Sequence, residues 1–170
     1  MPLTPFHLGP ALCFGLPLRE HMHAPTFFLA NIIVDIEPFI VLVFGLNYPL
    51  HGYLHTFLFA SILGLALGCI MFFMRGIFQG FFKIFLLEGE RMANIKDFIV
   101  AGISGTVLHV LLDSPLNNNT KPLYPLMFNP FYKPALMLEI HSFCIWTGLL
   151  GMAFYVHLVY RRSFVKNSVS

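Results

Sequence analysis

Two histidines lie four residues apart in the segment HGYLHTF, at positions 51–57. Residues with this spacing share one side of an α-helix, so the sequence predicts that the imidazoles of His51 and His55 face the same way. The apolar run that follows them is typical of a membrane segment, where ionisable groups are costly and usually functional. Neutral imidazoles are common metal ligands. The pair therefore indicates part of a metal site.

Further nitrogen and oxygen donors occur in three other apolar segments. His109 and Asp113, in HVLLD, repeat the spacing of four, and His7 opens the first apolar segment. Asp35 and Glu37 would point apart on an ideal helix, but the proline that follows them is expected to distort the turn so that both face inward. Such a mixed nitrogen and oxygen set suits zinc, manganese or iron rather than calcium.

The candidate metal ligands are His7, Asp35, Glu37, His51, His55, His109 and Asp113. Seven candidates exceed the four ligands of a tetrahedral zinc site, so we expect one or two divalent ions. Zinc is the first expectation, with manganese and iron as alternatives. Asp35 or Glu37, whichever does not bind the metal, is the candidate catalytic base.

The composition of the chain is that of an integral membrane protein. Of its 170 residues, 57% are hydrophobic and only 11% are charged, whereas a soluble domain carries about 25% charged residues. The length suits one domain covering residues 1–170. The formal net charge of +2 is too small to indicate a nucleic acid partner, and no protein partner is identified.

The apolar segments predict an all-α membrane bundle of four to five segments with a polar metal site near its outer face. They cover residues 6–18, 25–46, 53–74, 95–113 and 134–160. The first is shorter than the roughly 20 residues that cross the hydrocarbon, and Pro38 should kink the second. Residues 76–88 are predicted to lie along the interface as an amphipathic helix. Residues 114–133 form a loop rich in proline, asparagine and tyrosine.

Small residues predict where helices approach closely. Gly64 and Gly68 form a small-xxx-small face in the segment 53–74. Gly102, Ser104 and Gly105 form a similar stretch of small residues in the segment 95–113. Small residues let helix backbones come together in a membrane. We therefore expect each of these two segments to pack tightly against a neighbouring helix.

Lysine and arginine predict the orientation, because they are enriched on the cytoplasmic side. With residues 75–94 in the cytoplasm, that side holds Arg19, Arg75, Lys83, Arg91, Lys96, Arg161, Arg162 and Lys166. The other side holds only Lys121 and Lys133. This bias predicts a multi-pass protein of the inner cell membrane with the candidate ligands toward the exoplasmic side. If the first segment is re-entrant, only the N-terminus changes sides.

Other polar residues of the apolar segments fit simpler roles. His21, His23 and His157 lie toward the predicted cytoplasmic side and are expected to be interface or capping residues. Glu139 and His141 lie at the predicted outer end of the last segment. They either orient metal ligands by hydrogen bonds or make ordinary contacts within the bundle.

Four sequence blocks resemble the YdjM-like family of inner-membrane metal-dependent hydrolases. The blocks are TPFHLGP, NIIVDIEPF, HGYLHTF and GTVLHVLLDSP, and the resemblance covers about residues 4–126. It implies that the same seven residues form the family's metal site. The chain departs from the family pattern where Glu37 replaces an aspartate, Val34 a proline and Thr56 a serine. The longer glutamate side chain would alter the metal geometry.

These observations favour a membrane-embedded hydrolase in which metal-activated water attacks an ester or phosphoester. A lipid headgroup is the expected substrate, because the site lies at headgroup depth and Lys121 and Lys133 lie in the loop above it. Two alternatives stay open. One is a metal or proton transporter, although such sites usually lie near the bilayer midplane. The other is a non-catalytic scaffold with a structural metal.

Overall fold

A computed structural model describes residues 6–87, 89 and 94–168, with side chains up to residue 164. The described part contains six α-helices and no strand: α1 (Leu8–Gly15), α2 (Ala24–Ile33), α3 (Ile36–Phe44), α4 (Phe57–Ile84), α5 (Ile95–Asp113) and α6 (Met137–Ser168). Short 3-10 helices cover Pro17–Glu20, Tyr53–His55 and Pro134–Leu136. Residue 88, Arg91 and the side chain of Lys166, which the sequence predictions used, lie outside the described residues.

Four helical stretches are long and apolar enough to cross a membrane. They are Ala24–Phe44, Phe57–Ile84, Ile95–Asp113 and Pro134–Phe164. Large apolar side chains such as Phe73 and Ile77 lie on the surface of the bundle, as expected where lipid rather than water surrounds the helices. The predicted all-α membrane bundle is thus confirmed, and its composition and helix lengths fit a multi-pass protein.

Glycines set the packing of α5, which lies between α4 and α2. A Cβ atom on Gly64 would lie 2.5 Å from the carbonyl oxygen of Gly102, and one on Gly68 would lie 2.6 Å from that of Phe98. A Cβ atom on Gly105 would meet the Cβ atom of Ala30 on α2 at 2.6 Å. Both glycine-containing segments therefore pack closely, as expected, and the structure shows that they pack against each other.

The N-terminal segment runs along the bundle from one end to the other. His7 contacts Asp113 at the C-terminal end of α5, while the Arg19 guanidinium donates a hydrogen bond of 2.8 Å to the carbonyl of Leu86, just after α4. α1 alone is too short to cross a membrane, but the 3-10 helix at Pro17–Glu20 extends it. His7 and Arg19 therefore lie at opposite ends of the bundle.

The predicted interfacial helix over residues 76–88 is wrong for residues 76–84, because they continue α4 without interruption. Gly76 follows Arg75 but does not adopt the positive φ of a helix C-cap, and no proline follows it, so the helix continues. The helix ends at Ile84, and Leu86 adopts a positive φ of 59°. The guanidinium of Arg162 then donates to the terminal carbonyls of Lys83 and Ile84.

The start of α4 also differs from the prediction, which placed it at residue 53. The Thr56 side chain accepts a hydrogen bond from the Phe59 amide, so the helix begins at Phe57. His51 therefore lies in irregular backbone and His55 in a 3-10 turn. The expected α-helical pairing of the two histidines is wrong, yet their rings still meet edge to face at 4.6 Å.

The second segment is interrupted as expected, but the break lies upstream of the proline. α2 ends at Ile33 and α3 begins at Ile36, which places Pro38 in the first turn of α3. A proline is tolerated there because the amides of the first turn have no partner within the helix. Asp35 occupies the junction between the two helices and is thereby turned toward α5.

Candidate metal centre

His109 and Asp113 are placed by the last turns of α5. The backbone carbonyl of Asn31 accepts a hydrogen bond of 2.7 Å from His109 Nδ1. A carbonyl can only accept, so Nδ1 carries the proton and Nε2 keeps its lone pair. That nitrogen lies 3.7 Å from Asp113 Oδ2 and 3.3 Å from Asp35 Oδ1. The ring is thus oriented as a ligand, with its free nitrogen toward two carboxylates.

His55 has the same arrangement from a different element. Its Nδ1 donates to Glu37 Oε2 at 3.1 Å. Its Nε2 then points to the oxygens that face His109, at 3.8 Å from both Asp35 Oδ1 and Asp113 Oδ2. A second hydrogen bond that fixes ring and tautomer is the usual accompaniment of a metal-binding histidine.

Four donor atoms converge in this way, one each from Asp35, His55, His109 and Asp113, and all lie within 4.8 Å of one another. The four nitrogen–oxygen separations given above run from 3.3 to 3.8 Å. Ligands of a tetrahedral zinc ion, at about 2.0–2.2 Å from the metal, are separated by roughly 3.3–3.5 Å. The spacing of the four atoms therefore fits a single divalent cation between them.

Buried nitrogen atoms without hydrogen-bond partners also indicate a cation at this position. The Nε2 atoms of His55 and His109 are buried and have no hydrogen-bond partner. Buried polar atoms almost always have a partner. A cation among the four donors satisfies both nitrogens, and the residues present therefore fit a metal.

His7 and His51 flank this group of four. His7 Nε2 lies 3.1 Å from Asp113 Oδ1, and His51 Nε2 lies 3.7 Å from Asp113 Oδ2. The carboxylate of Asp113 thus faces the group with one oxygen and His7 with the other. All seven predicted residues are brought to one end of the bundle, but only four of them supply the convergent atoms.

Glu37 is the predicted ligand that the structure places outside the convergent group. Its Oε2 accepts from His55 Nδ1 and from the Gly52 amide at 2.9 Å. Its Oε1 accepts from the Leu54 amide and from the Tyr48 hydroxyl, both at 3.3 Å. With both oxygens engaged, Glu37 orients His55 and the loop before α4, and we do not assign it a ligand or base role.

The two histidines before α4 differ in their protonation. Burial lowers the pKa of His51 to about 4, and the neighbouring His55 lowers it further. Burial also disfavours the charged form of His55, but the neighbouring carboxylates of Glu37, Asp35 and Asp113 outweigh burial and raise its pKa to about 9. A cation must therefore displace a proton from His55, and its binding tightens as the pH rises.

A cleft of about 220 Å³ opens beside His51, and we call it the entrance cleft. It is lined by Tyr48, Pro49, His51, Gly52, Tyr53, Thr56, Asn119, Lys121, Tyr124 and Met127. One wall is the segment before α4 and the other is the loop after α5. The cleft leads from the surface to the imidazole that contacts Asp113. Lys133, which was predicted beside Lys121 above the site, is not among its lining residues.

The remaining polar residues fall where simple packing would put them. His23 lies at the opposite end of the bundle, where its Nδ1 accepts from the Thr26 amide and its ring stacks on Phe98. The ring of His141 meets Phe6 edge to face, and Glu139 is exposed. The two histidines make contacts within the bundle and Glu139 lies at its surface, so none of the three is assigned to the site.

Two contributors to the site have roles that the sequence did not predict. The Asn31 carbonyl orients His109 through a backbone atom, which no residue type reveals, while the Asn31 side chain donates to the carbonyl of Phe27. Tyr48 contacts Glu37 from eleven residues away across an irregular segment. The only signal was that an aromatic residue lies close before the histidine pair.

Comparisons of the chain with models of known families, with curated proteins and with solved structures find no match. The resemblance of its four sequence blocks to the YdjM-like hydrolases therefore stays a prediction. The site has to be interpreted from its own geometry.

Proposed function

We propose that the chain is a membrane-embedded, metal-dependent hydrolase that cleaves an ester or phosphoester bond in a lipid headgroup. The observation that carries this proposal is the convergence of four donor atoms, two of them buried nitrogens without hydrogen bonds. A nitrogen and oxygen set of this kind suits zinc first, with manganese and iron as alternatives. One ion fits the four atoms.

The chemistry follows from the parts of the site. A bound divalent cation polarises an ester oxygen and lowers the pKa of a coordinated water to about 7. His55, His109 and Asp113 are almost fully buried and hold the centre, whereas the side chain of Asp35 is 16% exposed. Asp35 is therefore the member of the group that solvent reaches. Its Oδ1 would bind the ion, and we assign the other oxygen of its carboxylate as the acceptor of a proton from a water bound beside it.

The entrance cleft supports an enzyme rather than a closed structural site. It opens a path from the surface to His51, which contacts Asp113 at the edge of the metal position. A structural zinc site is closed to solvent by its protein ligands, whereas a catalytic site keeps a position that water can reach, which here would be the exposed side of Asp35. The charge bias of the loops supports an exoplasmic location, where the substrate would be a lipid of the outer leaflet.

Elemental analysis of the purified protein tests this proposal directly. We expect about one zinc per chain, and His109→Gln should lose both the metal and the turnover of a panel of lipid esters and phosphoesters. His157→Gln is the matched control, because His157 is exposed on α6, outside the group of four donors. It should keep both. Active protein without metal, or equal losses in the two variants, contradicts the proposal.

A further inference from the structure

The walls of the entrance cleft are held in place by contacts between distant segments. The Phe57 amide donates a hydrogen bond of 2.9 Å to the carbonyl of Pro122, which ties the loop after α5 to the start of α4. The rings of Tyr53 and Tyr124 meet edge to face at 5.6 Å across the two walls. The side-chain Nδ2 of Asn129 donates hydrogen bonds to the Ser114 and Asn117 carbonyls and fixes the base of the same loop. The cleft is thus a built feature of the fold.

The charge of the cleft selects for an anion. Lys121 lines it, and within the described part of the chain no carboxylate does. Asn119 and the tyrosines add neutral hydrogen-bonding groups, and a cation at the adjacent metal centre would add further positive charge. A lysine ammonium binds phosphate as a point charge. The cleft therefore offers a site to a phosphate group on the surface side of the metal.

Exposed apolar side chains surround the cleft on the loop side. Met127, which lines the cleft, is 69% exposed, and the neighbouring Leu126 and Phe128 are exposed as well. On the opposite side, α3 leads away from Asp35 and exposes Phe39, Leu42, Val43 and Phe44. Apolar residues exposed in such numbers mark contact with a membrane or a partner. The apolar surface extends past the metal centre, so the cleft opens into lipid.

The size of the cleft limits what enters it. At about 220 Å³ it is smaller than the roughly 300–1,000 Å³ of pockets that enclose whole drug-sized ligands. A headgroup fits this volume, whereas two acyl chains do not. The chains of a bound lipid would stay in the bilayer beside the exposed apolar residues of the loop.

We propose that the entrance cleft holds the phosphate-bearing headgroup of an anionic phospholipid that remains in the membrane, and that Lys121 selects it by its charge. This inference rests on the proposed function, since it names the substrate class of the same site. The exposed apolar tip of the loop, Leu126–Phe128, lies in the outer leaflet and keeps the mouth of the cleft at headgroup depth.

Lipid binding measured by native mass spectrometry tests the role of Lys121. The zinc-loaded protein in detergent is titrated with ether-linked phosphatidylglycerol and, separately, with ether-linked phosphatidylcholine. We expect a preference for phosphatidylglycerol, and about a tenfold loss of its affinity in Lys121→Gln, as for one charge-assisted contact. Lys133→Gln is the matched control, a loop lysine outside the cleft lining, and should bind as the wild type does.

Each outcome of this titration decides the inference. Equal losses in the two lysine variants, or no preference for the anionic lipid, would overturn it. Glycerol 1-phosphate is the soluble competitor, and displacement of the lipid by this competitor at equal concentration would show a soluble phosphate ligand instead. The zinc content is measured on the same samples. Zinc without lipid preference overturns only the cleft, whereas lipid preference without zinc overturns only the hydrolase.

Fluorescence quenching tests the depth of the loop independently. Phe128→Trp is prepared in a Trp146→Phe background, which leaves one tryptophan, and reconstituted in phosphatidylglycerol vesicles. We expect quenching by lipids brominated on the upper acyl chain and protection from acrylamide. Asn118→Trp in the same background, at an exposed polar position of the same loop, should show the reverse. Acrylamide quenching of both tryptophans would place the loop in water and overturn the proposed depth.

Discussion

At the level of single residues, the two histidines of the candidate metal centre are oriented by atoms that lie outside the group of four donors. Glu37 holds Nδ1 of His55, and the Asn31 carbonyl holds Nδ1 of His109. The sequence identified Glu37 as an acid beside the site but assigned it as a ligand or base. Residue type and spacing could not separate these roles, because only the irregular path of residues 46–56 brings two amides and a hydroxyl to its oxygens.

We expect Glu37→Gln to weaken zinc binding about 10- to 100-fold, which is the usual effect of losing a partner that orients a ligand. The NH2 group of glutamine cannot accept hydrogen bonds, so the donors that pair with one of the two Glu37 oxygens would be left without a partner. The variant should still bind one zinc per chain when zinc is in excess. Isothermal titration with zinc measures both the affinity and the stoichiometry.

Asp35→Asn is the comparison for this measurement, since Asp35 supplies one of the four convergent atoms. It should lower the stoichiometry rather than only the affinity. If Glu37→Gln instead removes the metal as completely as Asp35→Asn, then Glu37 is a ligand after all. Tyr48→Phe removes one hydrogen bond to Glu37 and should have a smaller effect than either.

The buried His23 makes a pH-dependent contribution to stability at the other end of the bundle. Burial lowers its pKa to about 4, against a smaller opposing effect of Asp97. Because the folded-state pKa lies below the unfolded value near 6.5, the stability that neutral His23 provides is complete above pH 6.5. It is lost as the pH falls toward 4, by up to roughly 3 kcal/mol at 1.36 kcal/mol per unit.

His23→Asn should remove this dependence, because asparagine caps the start of a helix but does not titrate in this range. Thermal unfolding in detergent would be followed from pH 7 to pH 4.5. The stability advantage of the wild type over the variant should shrink as the pH falls. An advantage that stays constant would show that His23 does not titrate in the folded protein. His157→Asn, at an exposed position, should leave the profile unchanged.

At the level of elements, the sequence predicted best where local signals and packing agree. The fourth segment was expected over residues 95–113 and α5 covers Ile95–Asp113, because Asn94 and Asp97 form a capping box at its start. Residues 53–56 were expected to begin the α4 helix and do not. Hydrophobic spacing does not reveal that Thr56 caps α4 and that Glu37 holds the preceding amides.

The contact between α4 and α5 determines the geometry of the site, because α4 begins two residues after His55 and α5 contains His109. Gly102→Ala would place a methyl group against the Gly64 carbonyl and should destabilise the bundle by about 1–3 kcal/mol, as for other overpacked cores. Separating the helices also separates His55 from His109. We expect a lower unfolding temperature in detergent and a weaker affinity for zinc.

Gly76→Ala is the matched control in the exposed half of α4, since nothing lies within 4 Å of the added methyl group. Replacing glycine by alanine within a helix stabilises it by about 0.5–1 kcal/mol. The same substitution should therefore have opposite signs at the two positions. A stabilising Gly102→Ala would mean that α4 and α5 do not approach as closely as the structure shows.

At the level of the whole molecule, the site is made by contacts between distant parts of the chain. Asn31 and His109 are 78 residues apart and are joined by one hydrogen bond. The sequence placed the candidate ligands at one level of the bundle through helix direction and charge bias. It could not give their separations, because these depend on how close the glycine contacts bring α5 to α4 and α2.

The orientation of the whole bundle decides which leaflet the site can reach, and cysteine labelling tests it. The loop after α5 should be exoplasmic and the end of α6 cytoplasmic. Eight of the ten lysines and arginines fall on the side assigned to the cytoplasm, where these residues are enriched in membrane proteins. Asn118 and Ser163 are exposed at these two ends. In intact cells whose outer surface is accessible, a membrane-impermeant maleimide should label Asn118→Cys, but label Ser163→Cys only after permeabilisation.

The wild type is the background control, since Cys144 is buried and Cys13 and Cys69 are partly buried in helices. Labelling of Ser163→Cys alone in intact cells would invert the topology and place the site on the cytoplasmic leaflet.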